Sequence, residues 1–178
     1  MQCHVIAAVR KQEDLETALQ SGVGIIFDLS PDILTLCDTV KAAHRAGKKL
    51  YIHLDLATGI GKDKSGVLYA AKAGVDGIIS TRVNIIKMAR EAGLFTVQRV
   101  FIVDSQSIDT TVESLKAAKP DMVEIMPGII PKVIKRLVSK IDMPIIAGGL
   151  LESRTEIEEA AQSGATAVST GAKALWSL

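Results

Sequence analysis

Aromatic side chains are scarce: three Phe, two Tyr and one Trp make up 3% of 178 residues. A core made from this chain must be aliphatic, which suits a sheet buried on both faces. The same scarcity leaves few platforms on which unpaired bases could stack. Cysteine is also rare. Cys3 and Cys37 stand in no CxxC or metal-ligand spacing. Both fall in apolar segments and read as buried free thiols. Reduced thiols and no secretory signal place the expected location in the cytoplasm. No apolar run approaches the ~18 residues of a membrane span, so no membrane partner is expected. An excess of one charge is missing too, since 21 Lys and Arg face 20 Asp and Glu, a net of +1. That excludes the strongly basic composition of a dedicated nucleic-acid binder. His4, His44 and His53 have no partners at ligand spacing, and there is no GxGxxG, P-loop or nucleophile elbow. No metal and no cofactor are expected.

What the chain has is 48% hydrophobic residues arranged in a weak repeat. Each unit is an apolar strand, a polar turn, an Ala-rich helix and a closing turn. Glycines 22, 47, 74, 93 and 164 stand just past predicted helices, the usual left-handed stop. Eight strands are predicted, over residues 3–9, 23–27, 49–54, 77–80, 95–100, 122–126, 143–147 and 165–169. Continuous apolar runs such as 23–27 predict a parallel sheet covered on both sides. Ser30 reads as an N-cap with Pro31 at the first helical position, followed by a stripe of Ile33, Leu36, Val40 and Ala43. Ser153 and Glu156 form a capping-box pattern, and Pro131 opens a helix carrying Val133, Ile134, Leu137 and Val138. Eight such units predict a single domain over residues 1–178, an α/β fold of the compact (β/α)8 TIM-barrel type with minimal loops. An open doubly wound sheet is the alternative. At about 22 residues per unit the chain falls below the ~200 residues of ordinary barrels, so one or two helices are expected to shrink to a turn.

In such a barrel ligands bind at the C-terminal ends of the strands. The stretch from Pro144 to Gly171 ends two successive strands in small turns, Gly148-Gly149 and Ser169-Thr170-Gly171, a pattern suited to a phosphate. A short helix from Ala172 would add its positive dipole end. Asp28, His53, Asp55, Ser80-Thr81-Arg82, Gln98-Arg99 and Glu124 stand at the other strand ends. His53 and Asp55, two apart, share a face. Each also has a plainer role: His53 as a core histidine, Asp28 and Asp55 in turns, Thr81 as a cap, Arg99 paired with Asp104 or Glu124. Glu124, between Val123 and Ile125, must point inward or be paired. Residues 55–65 form a Gly-rich loop carrying Lys62 and Lys64, either a ligand cover or a solvated loop. Basic candidates for a polyanion are Lys132, Lys135, Arg136 and Lys140 on one helix, and Arg45, Lys48 and Lys49 around one turn. A solvated face is the plainer reading of both.

The segments His53-Leu54-Asp55-Leu56, Gly77-Ile78-Ile79-Ser80-Thr81-Arg82 and Gln98-Arg99-Val100-Phe101 occur in order. After them come Glu124-Ile125-Met126-Pro127-Gly128-Ile129-Ile130-Pro131, Ile146-Ala147-Gly148-Gly149-Leu150 and Leu175-Trp176. With these the chain resembles the glycerol-3-phosphate-responsive antiterminator family, regulators of bacterial glycerol-uptake operons. The resemblance implies a (β/α)8 fold, sn-glycerol 3-phosphate as effector, and action on leader mRNA rather than catalysis. The ligand phosphate would then lie on Gly148, Gly149, Ser169, Thr170 and Gly171. Its hydroxyls would face His53, Asp55, Gln98 and Glu124, with Arg82 or Lys62 adding charge. A homo-oligomer would double any basic RNA-binding patch. Two other readings stand beside this one. Glu124 with His53 and Asp55 could be the acid–base set of a phosphotriose or phosphosugar enzyme, isomerase-like because no strand-end lysine offers a Schiff base. A phosphate sensor could instead act through a protein partner.

Overall fold

The computed structural model describes residues 3–178. Eight strands alternate with helices along the chain. They are β1 His4–Val9, α1 Gln12–Gln20, β2 Ile25–Asp28, α2 Leu36–Arg45, β3 Lys49–His53, α3 Lys64–Ala73, β4 Gly77–Ser80 and α4 Val83–Glu91. The second half runs β5 Phe95–Phe101, α5 Ser105–Ala118, β6 Met122–Met126, α6 Pro131–Val138, β7 Ile145–Gly148, α7 Arg154–Gln162 and β8 Ala167–Thr170. Every neighbouring pair is parallel, and β8 returns to β1 with His4 opposite Ala167 and Ala7 opposite Thr170. The sheet is therefore a closed (β/α)8 barrel, and the open-sheet alternative falls. The short chain fits because the eighth helix shrinks to a 3-10 turn over Lys173–Leu175.

Strand residues alternate between two environments. Inside the barrel, Ile6, Phe27, Tyr51, Ile79, Val97, Ile146 and Ala167 pack together, with Phe27 stacked on Tyr51 at 5.7 Å. Outside, the apolar residues of strands and helices form two clusters, one for each half of the barrel. Residues from Ala7 to Ala89 make the first, joined by Trp176. Residues from Val100 to Leu175 make the second. Among the described residues no helix is long and apolar enough to cross a membrane.

Three expectations need correction. The α2 helix begins at Leu36, not at Pro31. Asp28 accepts from the Ser30 amide at 3.0 Å and Asp32 from the Leu34 amide at 2.8 Å. Pro31 and Ile33 instead pair with Thr58. Local side-chain turns and this pairing replace the first helical turns, and Ile33 is left exposed while Leu36, Val40 and Ala43 stay buried. The thiols are not both buried. Cys37 follows the buried Leu36 on the helix and so turns to solvent, while Cys3 is half-buried, its thiol pKa pushed up by burial. Lys48 is no polyanion contact. It is buried, and its ammonium donates to the carbonyls of Ser21 at 2.8 Å and Val23 at 2.6 Å.

Candidate ligand site at the barrel mouth

The inward-facing row above the apolar plug is polar. Period-two alternation turns Phe95, Val97 and Arg99 of β5 inward and sends Thr96, Gln98 and Val100 outward. Register sets Arg99 beside Glu124 of β6. The Arg99 Nε donates to Glu124 Oε2 at 2.6 Å, with the two side chains 4% and 0% exposed. The other carboxylate oxygen accepts from the Ser169 hydroxyl of β8 at 2.5 Å. A buried carboxylate is tolerable only with such partners on both oxygens. Of the two partners open to Arg99, Glu124 is the one it takes; Asp104 instead caps α5 through the Ser107 amide at 2.7 Å. Gly148, opposite Ser169 in register, leaves the room this requires. A Cβ there would stand 2.6 Å from Glu124 Oε1 and 2.8 Å from Ser169 Oγ.

His53 ends β3 in the same row and is 3% exposed. Burial, then the charge of Arg99, push its pKa down from 6.5 to about 4, so the ring is neutral at pH 7. Its Nδ1 has no hydrogen-bond partner, and neither does Arg99 Nη2. Buried groups of this kind are normally satisfied, and here two unpaired ones stand in one row.

A cleft of about 540 Å³ adjoins this row at Ser169, lined also by Ala8, Arg10, Met126, Gly149 and Gly171 among others. Gly149 and Leu150 both have positive φ, +76° and +61°. The amides of Gly149, Leu150 and Gly171 donate to no carbonyl or side chain among the described residues. The two predicted turns thus meet at one cleft. They are knitted together by the Thr170 hydroxyl, which donates to Leu151 O at 2.6 Å and accepts from the Ala172 amide at 3.0 Å. The expected helix from Ala172 is only a 3-10 turn, so the cleft gains little from a dipole. Arg10 was not foreseen. It directly follows β1, and an arginine at the end of a strand was the available signal.

The remaining candidates lie elsewhere. The strand stops at His53, so Asp55 falls on a 3-10 turn over Leu54–Leu56 and does not share the face of His53. It accepts from Ser80 Oγ at 2.7 Å and from the amide and hydroxyl of Thr81 at 2.7 and 2.9 Å. Burial raises its pKa, but the Thr81 and Ser80 bonds outweigh burial and leave it below the usual carboxylate value. Asp55 thereby clamps the end of β3 to that of β4, with exposed Arg82 at 3.9 Å. Gln98 faces α5, donating to Ser114 Oγ at 2.6 Å, and is not among the inward row. The Lys62 ammonium donates to the carbonyls of Ala57 and Ile60 within its own loop. That loop is held to the β2–α2 connection by Thr58, whose amide donates to Pro31 O at 2.8 Å.

The fold and the polar mouth define the class: a compact (β/α)8 barrel with polar side chains at the C-terminal ends of its strands, the end at which barrels of this kind bind ligands. The chain belongs to the glycerol-3-phosphate responsive antiterminator family, which matches residues 5–176. Its relative YgcP of Escherichia coli K12 is 38% identical over 176 residues, 98% of this chain and 92% of that one. The crystal structure of the glycerol uptake operon antiterminator regulatory protein of Listeria monocytogenes superposes with a TM-score of 0.93. It is 34% identical over 99% of this chain and 96% of that one. A glycerol uptake operon antiterminator-related protein of Thermotoga maritima gives 0.87 at 29% identity, covering 99% of each chain. Aldolase barrels at 12–15% identity share the fold alone.

Proposed function

We propose that the protein senses sn-glycerol 3-phosphate at the barrel mouth and, in the cytoplasm, acts on leader mRNA of glycerol-uptake genes. In this reading the phosphate lies on the free amides of Gly149, Leu150 and Gly171, beside Gly148, Ser169 and Thr170, with Arg10 supplying positive charge. The diol reaches toward His53 and the Arg99–Glu124 pair. Arg82 guards the rim through Asp55, and Gln98 and Lys62 stay out of the first contacts. The observation that carries the reading is the state of Glu124. Both of its oxygens are engaged, by Arg99 and by Ser169. A carboxylate held in this way is a poor general base, which weighs against the phosphotriose-isomerase alternative and for binding without turnover.

A ligand at 100 times its dissociation constant stabilises a fold by about 2.7 kcal/mol. Glycerol 3-phosphate is expected to raise the melting temperature clearly, and glycerol much less. Gly149→Val is expected to remove the difference, because a branched side chain is strained at this φ. Normal binding by this variant would displace the phosphate from this cleft. A gel shift on the leader RNA, with and without the ligand, tests the regulatory half. Unchanged RNA affinity, or turnover across a phosphosugar panel that Glu124→Gln abolishes, would overturn it.

A further inference from the structure

A second cleft of about 450 Å³ opens between the ends of β4 and β5 and the start of α5. Thr81, Gln98, Arg99, Phe101, Thr110 and Ser114 are in its wall. Seven of the twelve lining residues carry a side-chain amide or hydroxyl, set in a largely apolar surface. Its charged members are paired, Arg99 through Nε with Glu124 and Asp104 with the α5 cap; Arg99 Nη2 keeps an open donor, but its charge is already compensated by Glu124, so the cleft suits a polar group with no net charge. At its floor Gln98 is 1% exposed, and its Oε1 has no hydrogen-bond partner while Nε2 is held by Ser114. A buried amide oxygen left open is costly and asks for an N–H or O–H donor. At its rim Phe101 is 56% exposed. The other aromatics are buried or half-buried, so among the described residues this is the aromatic ring most open to solvent.

A ring face at the rim and an open acceptor below it fit a planar heterocycle bearing an exocyclic amine. We infer that this cleft receives an unstacked base of single-stranded RNA, with Phe101 as the stacking face and Gln98 as the acceptor. The inference rests on the RNA half of the proposed function and gives that function its contact surface. Neither basic patch is needed for it, in keeping with the balanced charge of the chain. Stacking and base-edge contacts, not phosphate neutralisation, supply the affinity. Arg99 belongs to this wall, and its partner Glu124 also holds Ser169 of the first cleft, so the two clefts share one hydrogen-bonded chain.

The test is fluorescence anisotropy of labelled RNA octamers, A8, C8 and U8, with saturating glycerol 3-phosphate. A8 and C8, whose exocyclic amines protrude from the base edge, are expected to bind more tightly than U8, whose N3–H is flanked by two carbonyl oxygens that an acceptor repels. Phe101→Ala removes the stacking face and Thr110→Trp fills the cleft; both residues are exposed. Each variant is expected to weaken A8 and C8 binding about tenfold, with the thermal shift by glycerol 3-phosphate unchanged. Equal binding of the three octamers, or binding unaffected by both variants, overturns the inference. So does a leader RNA that shifts on the gel while no octamer binds, and in that case the regulatory reading stands without this cleft. If leader and octamers alike fail to bind a protein that still responds thermally to glycerol 3-phosphate, the regulatory reading fails and this inference with it.

Discussion

At the scale of single residues, the mouth is organised by one buried carboxylate. Removing Arg99 leaves Glu124 uncompensated in a dry site, a change that typically costs about 3–5 kcal/mol. Arg99→Met is expected to lose that much in urea unfolding, and the double change with Glu124→Leu to recover much of it. A double variant as unstable as the single one would mean that the arginine acts by packing rather than by charge. His53 gives a pH signature. Its folded-state pKa, about 4, lies below the 6.5 of the free group. Between these values the unfolded chain binds the proton and the native state does not, so stability is full above pH 6.5 and falls as pH drops toward 4. The loss between pH 7 and pH 5 is expected to be about 2 kcal/mol, and His53→Asn should flatten it. Asp55 does not confuse this window. Its lowered pKa makes its contribution fail only below the ordinary carboxylate value of 3.8. A His53→Asn protein with the same slope would assign the effect to another group.

At the scale of elements, strand identity was the most legible feature of the sequence. Apolar runs punctuated by glycine located all eight strands, and Ser153 with Glu156 does form a reciprocal capping box at α7. What pattern could not resolve was where a strand stops and which way its last residues face. Alternation predicts Asp55 on the face of His53, but the chain turns after His53. Gln98 was grouped with Arg99 because both end the same strand, yet adjacent residues face opposite sides of a sheet. Pro31 looked like a helix start because nothing local announces that Thr58, 27 positions on, takes its carbonyl. Glu124 was readable as a residue in need of a partner. Its second partner, Ser169, lies 45 residues away and becomes visible only once the barrel closes.

At the scale of the molecule, the outer core comes in two parts that follow chain order. One belongs to the first four units and the other to the last four, with Trp176 as the exception among the buried residues and half-buried Cys3 and Val5 touching the second cluster. This residue of the final turn packs into the first cluster, its indole Nε1 donating to Thr170 O at 2.9 Å, while its own carbonyl accepts from the Gly22 amide at 3.2 Å. The tryptophan is a clasp between the two outer clusters, added to the shared inner plug and to the β4–β5 and β8–β1 ladders. A chain severed between α4 and β5 is therefore expected to behave as two complementing halves. Co-expressed fragments 1–93 and 94–178 should reassemble into a species that glycerol 3-phosphate stabilises, and Trp176→Ala in the second fragment should abolish recovery. Trp176 fluorescence would report the docking directly, since the ring is buried only when the first half is present to cover it. Fragments that recover equally well without the tryptophan would assign the clasp to the two ladders and the shared inner plug. A barrel divided in this way is a natural substrate for permutation and for split-reporter engineering, with its seam opposite the ladder that closes it.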